Sequence, residues 1–215
     1  MKPGGGKAKG AAFEREVCRK LSLWVTSGKR SDVFWRSAMS GGRATVMTGK
    51  AGKEVRQSGD VTSVAPEGHW FTENVLCEIK HVKSLDLESA VFRRRGALVG
   101  FWHKVARQAE RYDQEPMIIA KQNRYPTMII ASQGFFDGWF DMNQGDGTIY
   151  DIVTLSFLAL KPGRFSICEL MEFDVFLKQP VDNIVKWYSG DETKGDEDAV
   201  QHSDLPRHQR QRERL

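Results

Sequence analysis

The stretch Asn74-Val75-Leu76-Cys77-Glu78-Ile79-Lys80-His81-Val82 decides how the chain is read. Its length and apolar content predict a strand, in which side chains alternate faces. Glu78 and Lys80 then point one way and Cys77 and Ile79 the other. Upstream, Ser58-Gly59-Asp60-Val61 places a carboxylate at the head of a second short strand, Val61–Val64. An Asp and a Glu beside a Lys on one sheet face make a Mg²⁺ site with a cation of the protein's own next to it. Phosphodiester hydrolysis uses that combination of charges.

Working outward, Phe13, Val17, Leu21, Trp24 and Val25 recur at three-to-four spacing and predict a helix over Ala11–Val25. Val33–Arg36 is a short strand, and the Gly-, Lys- and Arg-rich Ser40–Gly59 segment is a long loop or irregular hairpin. Helices are predicted over Leu87–Arg95 and Val99–Tyr112. The apolar runs Pro116–Ala120 and Thr127–Ala131 read as strands covered on both faces. Phe135–Gly147 is turn-rich, while Ile152–Leu160 and Glu169–Leu177 are each open between strand and helix. The order of elements predicts an α/β (α+β) fold around a mixed sheet flanked by helices.

Organisation follows from composition. Residues 1–10 are Gly- and Lys-rich and read as a flexible basic N-terminus. Residues 11–188 hold one domain, with a core over 11–132 and a C-terminal elaboration over 133–188. Residues 189–215 combine an acidic block with Arg207-His208-Gln209-Arg210-Gln211-Arg212 and read as a disordered charged tail.

Lys and Arg number 32 against 28 Asp and Glu, a formal charge of +4 that permits a polyanionic partner without requiring one. Basic residues crowd Met1–Lys9, Arg43–Arg56 and Arg93–Arg95, so a polyanion would touch one surface only. The odd, widely spaced Cys18, Cys77 and Cys168 exclude a disulfide framework and a zinc site and point to a reducing, cytosolic setting. No run is long and apolar enough for a membrane span, and the N-terminus lacks a signal-peptide core.

Two further residues stand out by position. On the first helix Glu14 falls among Val17, Cys18, Leu21 and Val25, whereas Glu16 falls with Arg15, Arg19 and Lys20. A carboxylate facing a core needs a partner or a cation, and a salt bridge to a core-edge arginine is the plain alternative for Glu14. Gln108 shares a helical face with Phe101, Val105 and Tyr112, where an unpaired amide is penalised.

The ordered set Lys9-Gly10, Phe13-Glu14-Arg15-Glu16, Arg36-Ser37, Ser40-Gly41, Asp60-Val61, Glu78-Ile79-Lys80 and Gln108-Ala109 resembles the PD-(D/E)xK nuclease superfamily, and within it the archaeal-type Holliday junction resolvases. The resemblance covers about Lys9 to Ser132. It implies a restriction-endonuclease-like core, Asp60 and Glu78 as metal ligands, Glu14 as the helix acid and Lys80 as the catalytic lysine. Ser40 looks like the serine such resolvases carry in a loop near the scissile phosphate, and Gln108 to Tyr112 fits the QxxxY pattern of exonuclease-type members. Gly59 departs from the pattern, because a proline often precedes the motif Asp.

On this reading Asp60, Glu78 and the Ile79 carbonyl hold Mg²⁺, with Mn²⁺ able to substitute, and no small-molecule cofactor is expected. Glu14 reaches the metal through water or completes a second site. Lys80 stabilises charge on the phosphate, or orients or deprotonates the attacking water. Gln108 positions Glu78, Lys80 or a phosphate. DNA is held by backbone contacts from Lys7, Lys9, Arg36, Arg43, Lys50, Lys53 and Arg56, and Trp35 is the candidate for base stacking. The expected activity is cleavage of branched DNA by a homodimer, in a phage or mobile-element setting. The rivals are a nuclease acting on DNA ends or duplex, and a non-catalytic DNA-binding or assembly protein that kept the fold.

Overall fold

A computed structural model of the chain describes residues 5–37, 59–136, 153–158 and 165–189. Helix α1 (Gly5–Val25) buries Phe13, Val17, Cys18, Leu21, Trp24 and Val25, the apolar stripe that drives a helix onto a core. It ends where Ser27 and Gly28 take φ of 50° and 85°. There the Gly28 N–H donates to the Leu23 carbonyl at 2.7 Å, closing a left-handed cap. The helix starts at Gly5 rather than Ala11, so part of the segment expected to be flexible is helical. Once a helix is nucleated by packing, each further residue adds a hydrogen bond for one residue fixed, and even Gly- and Lys-rich sequence can extend it.

Strands β1 (Phe34–Arg36) and β2 (Val61–Ser63) pair antiparallel as a separate ribbon. A 3-10 turn at Pro66–Gly68 and helix α2 (His69–Asn74) lead into β3 (Val75–Val82). Helices α3 (Leu87–Arg93) and α4 (Ala97–Tyr112) then carry the chain to β4 (Glu115–Gln122), which runs parallel to β3. A parallel pair requires such a crossover. The antiparallel strand β5 (Thr127–Ser132) follows, then β6 (Val153–Leu158), β7 (Phe165–Glu172), α5 (Phe173–Phe176) and α6 (Val181–Ser189). The five-stranded sheet has the order β3-β4-β5-β7-β6. It is the mixed sheet flanked by helices that the element order predicts.

Alternation along the strands gives the sheet two apolar faces. Val75, Cys77, Ile79, Met117, Ile119, Ile129 and Ala131 pack with α1, the β1–β2 ribbon, α2, α5 and α6. Leu76, Ile118, Ala120, Ile130 and Leu170 pack beneath α3 and α4, against Leu85, Ala90, Leu98, Trp102 and Val105.

Both segments left open between strand and helix are resolved. Val153–Leu158 is a strand, while Glu169–Leu177 is split, with β7 ending at Glu172 and α5 beginning at Phe173. Glu172 pairs with Met128, one residue from the start of β5, so β7 ends where its partner strand runs out. The C-terminal elaboration is part of the same core: Phe173, Phe176, Val181 and Ile184 share a cluster with Phe13 and Leu21. The expected loop over 40–58, most of the turn-rich 137–147 segment and the tail from 190 onward lie outside the described residues. Among the described residues no helix is long and apolar enough to cross a membrane.

Candidate active site

Among the described residues β3 is an edge strand, with no strand neighbour on one side of its backbone. Asp60 occupies that side. Its N–H donates to the Cys77 carbonyl at 2.8 Å, and its Oδ2 accepts the Ile79 N–H at 2.8 Å. Asp60 thus lies along the edge of β3, not on the same sheet face as Glu78 and Lys80 as the sequence suggested. Two backbone contacts with β3 outweigh simple alternation along β2. Ser37 braces it from behind, its N–H donating to the Asp60 carbonyl at 2.9 Å.

Gly59 makes this approach possible. It has φ of +89°, and a Cβ there would sit 2.5 Å from the Cys77 carbonyl oxygen. Proline, with φ fixed near −65°, cannot take this conformation. The departure from the usual pattern is therefore a backbone requirement.

Glu78 and Lys80 project together from the face covered by α4, as predicted. Lys80 Nζ lies 2.6 Å from Glu78 Oε1, 3.3 Å from the Ile79 carbonyl oxygen and 3.6 Å from Asp60 Oδ2. Three oxygens from three successive parts of the site therefore converge on one cationic atom. Lys104, on α4, adds a second ammonium 3.2 Å from Glu78 Oε1.

The charges of this group are interdependent. Burial, with Glu78 beside it, pushes the Asp60 carboxyl above the usual range, against the Ile79 N–H and Lys80. Burial works the same way on Glu78, but the charges and hydrogen bonds of Lys80 and Lys104 outweigh it and hold this carboxyl low. Burial also works against the Lys80 ammonium, yet Glu78 and Asp60 hold its pKa above the ordinary lysine value.

Glu14 approaches from the opposite face, on α1. Its Oε2 accepts from Arg36 Nε at 2.7 Å, and its side chain is 16% exposed. The core-edge arginine weighed as the plain alternative is its partner, and Arg36, expected on DNA, is engaged here. Glu14 is still near enough for its charge to bear on Asp60. Among the described residues no three His, Cys, Asp or Glu side chains close on a common point. The gathered donors are thus two carboxylates and a carbonyl, without Glu14.

Gln108 is partly buried on α4 and has no hydrogen-bond partner among the described residues. Lys104, one helical turn earlier on the same side, makes the contact to Glu78, one of the three partners expected of Gln108. Sequence reading missed Lys104. Its signal was a cation three residues after Phe101 and four before Gln108, but helix-to-strand register is not written in either pattern.

Of the other expected DNA contacts, Lys7 falls in the first turns of α1 and Lys9 donates to Asn123 Oδ1 at 2.7 Å. Ser40, Arg43, Lys50, Lys53 and Arg56 lie outside the described residues. Trp35 is 62% exposed, whereas Trp24 and Trp102 are core residues. His81 packs edge-on against Phe13 with ring centroids 5.2 Å apart, away from Lys80. All three cysteines are buried and free, and burial pushes the Cys18 and Cys168 thiols up to about 12, so neither serves as a nucleophile.

A divalent cation fits this donor set. Mg²⁺ takes oxygen ligands, commonly one or two carboxylates, and fills the remaining positions with water and substrate phosphate. The convergence of Asp60, Glu78 and the Ile79 carbonyl on Lys80 Nζ marks a place already shaped for positive charge. A family model described as "phage putative PDDEXK endonuclease" matches residues 5–152, a span that holds all these residues. No curated protein and no solved structure matches the chain.

Proposed function

Since the chain belongs to that phage PDDEXK endonuclease family, we propose that this nuclease is a Mg²⁺-dependent endodeoxyribonuclease that cuts branched DNA. The observation that supports the metal site is the convergence of Asp60 Oδ2, Glu78 Oε1 and the Ile79 carbonyl oxygen on a single cationic atom. Those three groups would hold the cation, and Mn²⁺ would serve in its place. When bound, the ion supplies Lewis acidity toward the phosphate and lowers the pKa of an attacking water.

The protein's own groups divide the remaining work. Lys80, whose ammonium lies against Glu78 and Asp60, would donate to the scissile phosphate and stabilise charge developing there. Lys104 steadies Glu78 while Lys80 is turned toward substrate. Arg36 fixes the rotamer of Glu14 beside Asp60, where that carboxylate orients water. A homodimer would present two such sites to a two-fold junction.

The test is cleavage of a synthetic four-way junction beside linear duplex and single-stranded DNA, with Mg²⁺, with Mn²⁺ and with EDTA. Preferential, metal-dependent cutting of the junction is expected. Equal cutting of all three would reduce the reading to a general nuclease. Binding without any cutting would favour the non-catalytic reading.

A further inference from the structure

The end of α3 and the turn into α4 take no part in the site above, yet this corner is unusually built. Phe92, Arg93, Arg94 and Arg95 are all exposed, and Phe92, at 80%, is the most open large hydrophobic among the described residues. One exposed phenylalanine alone would need no explanation. Here Val91 is 46% exposed beside it, and none of the ion pairs among the described residues involves the three arginines.

The turn is held firmly. Ala90 and Leu98 anchor its two sides in the core beneath α3 and α4. The Arg94 N–H donates to the Ala90 carbonyl and the Arg95 N–H to the Ser89 carbonyl, both at 3.2 Å. The Ala97 N–H donates to Asp86 Oδ2 at 3.2 Å, and the Leu98 N–H to the Leu85 carbonyl at 3.0 Å.

Arg94 itself has φ of 50° at the left-handed end of α3. Glycine is the residue that fits this position without steric cost. The chain instead carries a side chain there, which makes three consecutive guanidinium groups. Strained positions retained against an easier residue gather where function needs them.

Position links the turn to the cleaved bond. From Ala97, next to the turn, to Lys104, whose ammonium touches Glu78, α4 rises about 10 Å at about 1.5 Å per residue. That is roughly three steps along one strand of a duplex. The geometry points to the Phe92–Arg95 turn as a docking element for DNA whose base stack is interrupted, a few nucleotides from the scissile phosphate.

The arginines neutralise phosphates, and Phe92 covers a base face left open at a branch or unpaired end. In continuous duplex every base face is already stacked, so only the arginines would contribute. Three adjacent cations with no ion pair among the described residues favour a polyanion over a protein partner. This assignment rests on the nuclease reading and specifies what its substrate must offer.

The experiment measures affinity of the full chain in EDTA, without cleavage, for a labelled four-way junction and for linear duplex across a salt series. Phe92→Ala should weaken junction binding about 5- to 150-fold, the range for loss of one base–aromatic stack, and leave duplex within about twofold. Arg94→Gly should weaken both and lower the salt slope by about one, while raising Tm because the left-handed position is relieved. That pairing of higher stability with lower affinity would not arise from a purely structural role.

An unchanged junction preference in Phe92→Ala, or an unchanged salt slope in Arg94→Gly, overturns the assignment. So does a Phe92→Ala variant whose sedimentation changes while its DNA affinity does not, since the residue then serves a protein interface. A wild type that cuts and binds normally while both variants match it sinks this inference alone. A wild type that neither binds nor cuts any DNA sinks the nuclease reading as well.

Discussion

Asp60 carries a charge that its own surroundings oppose, since burial and Glu78 both raise its pKa. A carboxyl whose folded pKa lies above its unfolded value contributes stability at low pH and loses it as pH rises through the folded value. Asp60→Asn keeps an acceptor for the Ile79 N–H and removes the opposed charge. In EDTA at pH 7 its Tm should therefore exceed wild type, by about 2–4 °C for each ~1 kcal/mol relieved. Calorimetry should show that advantage shrinking as pH falls toward and below the Asp60 pKa, because the wild-type group is then neutral too. Cleavage by the same variant should drop at least ~10²-fold, and wild-type cutting rates would remove Asp60 from the metal site. Gly59→Ala acts on the backbone instead, with its new Cβ against the Cys77 carbonyl. A loss on the order of 1–3 kcal/mol is expected, readable as a lower urea midpoint together with reduced cleavage. The shared face of Glu78 and Lys80 was legible in the sequence because strand alternation and their two-residue spacing carry it, and Asp60 stood out as a carboxylate at the head of a short strand. The edge placement of Asp60 was not, since it depends on which strand of a sheet is left unpaired.

At the scale of elements, α1 and β1 are joined by a buried hydroxyl. Ser22 Oγ donates to the Cys18 carbonyl at 2.7 Å and accepts the Phe34 N–H at 2.8 Å. Ser22→Ala would leave that buried N–H without a partner, at about 1–3 kcal/mol. Hydrogen exchange should show faster exchange in β1, and because Arg36 rides on β1, the Glu14–Arg36 pair should loosen with it. Unchanged protection of Phe34 would mean the bond contributes nothing. α1 and α4 were readable from their apolar periodicity, down to the Leu21 and Val105 stripes, whereas α2 and α6 were not singled out, α2 being too short to show a period. Where α4 sits along β3 was not, so Gln108 was singled out while Lys104, the residue that meets Glu78, went unnoticed. The strand-to-helix switch at Glu172 was equally hidden, because it follows from where β5 begins and not from any residue in β7.

Across the whole molecule, the matched family span ends at residue 152, but the sheet does not. β7 covers the side of β5 that β4 leaves open, and its following helices fill the α1 side of the core. A chain truncated after Gly134 should therefore fail to give a cooperative thermal transition and should aggregate through the uncovered β5. A soluble, cooperatively melting fragment would show the first part to be self-sufficient. The charge imbalance hinted at a polyanion, and the sequence order of strands and helices announced a mixed sheet, but the contribution of 165–189 emerges only from strand pairing. A free strand edge invites another chain to add to it, and on β3 the residue that answers those backbone groups is Asp60. The carboxylate that would bind the metal thus doubles as a stopper against sheet extension. Two copies cannot join by continuing the sheet through this part of β3 without dismantling the site, so any catalytically competent dimer would have to meet through some other surface.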